Sequence, residues 1–157
     1  MEMRMNTRTF FAGLIILAGT LTSSAQTAPT DINKSIDMLV GDHVKIQHLL
    51  ADLQLAVAEK NAPAVAALVH YPIKVNPGKR PFVVRNEKAF VKDYDRIITP
   101  DIAAVIQKQK YESLFVNSQG AMIGSGEVWI SGFCTDKSCK QSDIKISTIQ
   151  DAMTLKP

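Results

Sequence analysis

The chain has 157 residues, 46% of them hydrophobic and 21% charged, with 18 Lys and Arg against 15 Asp and Glu. That is enough for one domain with a single core. The formal charge of +3 is spread without stripe or block, which excludes a nucleic-acid or membrane-surface reading on charge.

The opening "MEMRMNTRTFFAGLIILAGTLTSSAQTAPT" carries Arg4 and Arg8, then an uncharged apolar run from Phe10 to Leu21, then small polar residues. Ser23 and Ala25 fall where a signal peptidase reads small side chains before Gln26. The twelve-residue run is shorter than the roughly 20 residues a membrane span needs. The pattern predicts a cleaved signal peptide over 1–25 and an exported protein, periplasmic or secreted, that keeps no membrane contact after cleavage. No cysteine stands near the cleavage point to accept a lipid.

Residues 26–31 read as a loose tail, and "INKSIDMLV" as a short apolar-rich segment that ends at Gly41. The tail and segment together, 26–41, precede a single domain over 42–157. Asp42 is a good helix N-cap, because its carboxylate accepts the free amides of the first turn. Ile46, Leu50, Leu53 and Val57 then recur at helical spacing. Asn61 caps a second, short helix with Pro63 in its first turn. Val69, Tyr71, Ile73 and Val75 alternate with polar residues, which predicts a strand. Pro72 lacks an N–H, so that strand is expected at an edge or with a bulge. "NPGK" reads as a turn and "PFVVR" as a second strand.

Asn86 caps a helix running through "EKAFVKDYDRII", and Thr99 and Pro100 restart it. "YESLFVN", "AMIGSGEVWISGFC" and "SDIKISTIQ" read as long antiparallel strands. Gly124 and Gly126 suggest a bulge or bend inside the middle one. The order predicts an α+β fold, with helices on one face of a curved antiparallel sheet.

The two cysteines lie in "CTDKSC", and the nearest histidine in sequence is His70. Zinc needs about four ligands, and a redox pair is more often C-x-x-C. In an oxidising compartment, Cys134 and Cys139 are expected to form a disulfide that pins a hairpin tip. No metal and no cofactor are expected.

Three stretches carry a resemblance: "LQLAVAEKNAPAVAALVHYPIKVN", "RNEKAFVKDYDRIITPDI" and "ESLFVNSQGAMIGSGEVWI". In order, they resemble the opening helix-to-strand unit, the long third helix and the central hairpin of the nuclear-transport-factor-2-like superfamily. The resemblance implies a cone: a curved sheet wrapped around the N-terminal and central helices. That fold hosts ketosteroid isomerases, polyketide-cyclase-like proteins and many exported bacterial proteins of unknown role. No stretch matches an isomerase or dehydratase catalytic motif.

If the sheet curves round the central helix, Tyr71, Arg85, Tyr94, Glu127 and Trp129 are the candidates to line a ligand pocket. A phenol offers a hydrogen bond, a guanidinium clamps a carboxylate, and an indole gives a stacking floor. Each also has a plain structural reading, as core, surface or cross-strand residue. His43, His48 and His70 have no metal-ligand spacing, and there is no nucleophile elbow or phosphate loop. The leading expectation is an exported non-enzymatic domain that binds a small hydrophobic molecule or a protein partner, with a homodimer through the outer sheet face as one arrangement. The alternatives are a small isomerase, dehydratase or cyclase, or an inhibitor or immunity protein against an exported toxin.

Overall fold

The computed structural model describes residues 29–152 apart from 79 and 140. The expected signal peptide and its cleavage site lie outside those residues. Helix α1 (Pro29–Leu39) starts inside the stretch expected to be a loose tail. Ile32 and Ile36, one turn apart, are both buried, and that burial is what recruits the segment. Helix α2 (His43–Ala58) follows, with Asp42 Oδ1 accepting from the amides of Val44 and Lys45. The junction is latched by Asp37, which accepts from the His43 amide at 2.9 Å and lies 2.8 Å from His43 Nδ1. The backbone bond and then the imidazole hold the Asp37 carboxyl below its ordinary range. Helix α3 (Ala62–Ala67) is capped by Asn61, whose Oδ1 accepts from the Ala64 amide.

Strand β1 (Ile73–Asn76) is shorter than the alternation suggested: Tyr71 and Pro72, joined by a cis peptide, form a bend just before it. It pairs with β2 (Phe82–Val84). The helix expected from 87 onward is divided: α4 (Glu87–Lys92) ends at Asp93, and α5 (Tyr94–Ile97) resumes after it. Helix α6 (Pro100–Lys108) has Thr99 as its cap. Gln54 of α2 donates to the Ile106 and Gln109 carbonyls at the end of α6, giving partners to carbonyls that a helix terminus leaves open. A 3-10 turn (Tyr111–Ser113) leads into β3 (Phe115–Asn117), β4 (Gly120–Ile123), β5 (Val128–Cys134) and β6 (Ser142–Gln150).

The fold is α+β, with one six-stranded sheet in the order β2-β1-β6-β5-β4-β3. It is mixed rather than antiparallel, because β1 runs parallel to β6. That pairing also makes β1 an interior strand, so Pro72 marks its start instead of an edge. Gly124 and Gly126, expected within a strand, instead build the turn between β4 and β5. The sheet's irregularity lies on β6. Trp129 pairs with Thr148 but Ile130 with Ile146, so Ser147 is an extra residue without a partner.

One sheet face is buried. Ile73, Val75, Ala121, Ile123, Val128, Ile130, Ile146 and Ile149 join Ile36, Ile46, Leu53, Phe90, Ile97, Ile102 and Ile106 of the helices in a single core. Gly120 lets β4 approach β5 closely: its φ is +142, and a side chain there would run into the Ile130 carbonyl. The disulfide Cys134–Cys139, with Cα atoms 4.7 Å apart, closes the β5–β6 connection.

Candidate functional site: the open face of the sheet

The five sequence candidates are divided between different places. Tyr71 and Tyr94 come together on the helix side, each packing edge-on to Phe90 with ring centroids 6.4 Å apart. The Tyr71 phenol donates to the Ala66 carbonyl at 3.0 Å. Burial raises both phenols above their ordinary pKa, helped by the charges of Glu87 for Tyr71 and Asp95 for Tyr94. Arg85 is exposed between β2 and α4. Glu127 is 8% exposed and is the buried charged residue of the described chain. Its Oε2 accepts from the Ser125 amide at 2.6 Å, which ties the carboxylate to its own turn. Gly124, at φ +69, leaves the space that this carboxylate and Val105 occupy.

Trp129 stands on the other face of the sheet. Val128 and Ile130 take the core side of β5, so Trp129, Ser131 and Phe133 must point away from it. Cross-strand pairing extends this into a row: Phe115 opposite Met122, Met122 opposite Trp129, and Trp129 opposite Thr148. Phe115 is 54% exposed. Among the described residues, this face is covered by no helix, and it bears an open groove of about 570 Å³.

Two aromatic side chains, Trp129 and Phe133, line that groove. Its other walls are hydroxyls and amides: Ser131, Ser147 and Thr148, with Gln119 and Gln150. The bulge explains how β6 contributes two adjacent hydroxyls. In a regular strand, neighbours point to opposite faces. With Ser147 as the extra residue, Ser147 and Thr148 both reach the groove, while Ile146 and Ile149 both stay fully buried. The serines are fixed by their own bonds. Ser131 Oγ donates to the Gln119 carbonyl at 2.7 Å and lies 2.9 Å from Ser147 Oγ. The Phe133 end is buttressed by His70, stacked on it face to face.

Of the residues lining this groove, the sequence pattern points to Trp129 alone. The missed signal was local: the apolar pair Ile146 and Ile149 is three apart in an otherwise alternating strand, which is how a bulge reads in sequence.

A smaller groove of about 420 Å³ lies by the β1–β2 connection, lined by Pro77, Gly78, Arg80, Arg96 and Thr99. There the Arg96 guanidinium sits 3.8 Å from the centre of the Phe82 ring. Among the described residues, no three His, Cys, Asp or Glu side chains are grouped so as to hold a metal, and no helix is long and apolar enough to cross a membrane. Comparison with known proteins finds no matching family model, no matching curated relative and no matching solved structure.

Proposed function

We propose that this is an exported ligand-binding domain of the nuclear-transport-factor-2-like cone class, and that it binds on the outer face of its sheet. The N-terminal signal pattern and the Cys134–Cys139 disulfide support export. The helix-first element order, with the helices gathered on one sheet face, supports the cone class. One observation carries the choice of face: the helix side is filled by the Phe90 cluster, whereas the other face has an open groove floored by Trp129. Ligand sites are typically concavities of about 300–1,000 Å³ combining aromatic surface with a few placed polar groups, and this groove fits that description.

The test is a fragment screen read by amide and indole NMR, with neutral, acidic, basic and apolar fragments. Binding should shift Ser131, Ser147, Thr148 and the Trp129 indole together. Hits that map instead around Phe90 and Tyr94 would move the site into the cone and sink the reading.

A further inference from the structure

Building on that reading, we propose that the outer groove takes a neutral polyhydroxylated ligand, the exposed sugar rings of a glycan strand. The groove lining is uncharged: no lining side chain is ionisable. Lys145 shares this face, paired with Ser131, but its ammonium is turned away to donate to the Ala67 carbonyl at 2.9 Å. A phosphate, nucleotide or acidic peptide would find no cation in the lining to offset its desolvation, Lys74 standing exposed one strand over from Thr148. A basic partner would find no carboxylate in the lining, Asp143 standing exposed beyond its Phe133 end.

The lining also keeps unspent hydrogen-bonding capacity. Gln150 donates through Nε2 to the Gly126 carbonyl, which leaves its Oε1 as an acceptor. Among the described residues, the Gln119 amide group, the Thr148 hydroxyl and the Trp129 indole N–H have no protein partner. A purely apolar ligand would strip water from these groups and return nothing. The ligand must therefore be uncharged, rich in donors and acceptors, and apolar on one side. A pyranose meets all three conditions: its C–H face lies on an aromatic ring, and its hydroxyl rim faces amides and hydroxyls.

The bulge sets Ser147 and Thr148 side by side next to Trp129, and bulges recur where a sheet must re-aim a side chain at a site. The groove is open, which suits a chain of sugars lying across the strands.

Trp129 is the single tryptophan of the chain, so its emission reports this face alone. The experiment titrates the full chain with neutral cello-, chito- and malto-oligosaccharides, a sulfated oligosaccharide and an apolar naphthylamine dye. Acrylamide quenching and solution molar mass are measured alongside. At least one neutral oligosaccharide should perturb Trp129 saturably and with little dependence on salt. Trp129→Ala and Thr148→Val should each weaken that binding about tenfold or more, while Trp129→Phe retains most of it. Circular dichroism would confirm that each variant is folded. If no neutral oligosaccharide binds at millimolar concentration, the inference fails. If only the dye or the sulfated sugar saturates this face, the inference fails while the binding face stands. A dimer in which Trp129 is shielded from acrylamide overturns both.

Discussion

The imidazole of His70 lies flat on the ring of Phe133, with centroids 3.6 Å apart and planes 8° apart. Strand β6 runs between their backbones, where the His70 amide donates to the Ile146 carbonyl. The stack therefore joins the approach to β1 with the end of β5 and holds one side of the outer groove. A double-mutant cycle with His70→Ala and Phe133→Ala should return a coupling of about 0.5–1.5 kcal/mol by urea unfolding. Strictly additive losses would show that the rings are merely adjacent.

Tyr94 is buried against Phe90, so its ring matters to the core and its hydroxyl little. Tyr94→Phe should cost about 1 kcal/mol or less. Tyr94→Ala should cost about 3–5 kcal/mol by emptying ring volume from packed surroundings. An alanine variant with the parent's melting point would contradict this packing.

The alkaline limb of stability follows from the phenols. Burial raises Tyr71, Tyr94 and Tyr111 above the ordinary value of 10.0. Above that value the unfolded chain loses its phenolic protons first, so the native state binds more protons and stability falls as pH rises. The contribution is fully present below about pH 10 and disappears as the native phenols titrate. Urea midpoints from about pH 8 to about pH 11 should decline, and more gently in Tyr94→Phe. A midpoint that is flat over this range would count against the burial of all three.

Glu127 should behave as the pin of the β4–β5 turn. Glu127→Gln keeps an oxygen for the Ser125 amide, and its cost should be small. Glu127→Ala leaves that donor without its partner and should cost about 1–3 kcal/mol. Gly124→Ala should be worse than an ordinary glycine replacement, because the left-handed backbone and the Glu127 carboxylate both oppose a side chain. Thermal melts of the three variants would check the order.

The Cys134–Cys139 bridge closes a short loop, so the double alanine variant should keep its fold and lose about 2 kcal/mol, measured by denaturant unfolding. Loss of the sheet signal in circular dichroism would show a larger role.

The helix starts were legible in the sequence because capping is local. Asp42, Asn61, Asn86 and Thr99 each need only reach an amide two or three residues ahead. The division at Asp93 was not, because Phe90, Tyr94 and Ile97 keep helical spacing straight through it. There the backbone of Asp93, at φ -101 and ψ 14, leaves the helix while the buried spacing runs on. Parallel pairing of β1 with β6 joins distant segments and leaves no mark in either. Trp129 shows the mixed case. Alternation with Val128 and Ile130 was readable and sets it opposite the core, but a cone interior was expected to draw it in. Phe133 and Thr148 join it through strand register, which pattern reading does not supply.

Strand β6 is hydrogen-bonded on both sides, to β1 and to β5, yet among the described residues it comes last in chain order. Until Ser142–Gln150 is available, the sheet exists only as a β1–β2 hairpin and a β3–β4–β5 meander with nothing to join them. Contacts between such distant segments form late, since the loop entropy must be lost before they reward it. A ribosome thus releases the other described helices and strands before the centre of the sheet can assemble. If the chain is exported as proposed and crosses the membrane unfolded, that delay would keep premature native structure from blocking the passage.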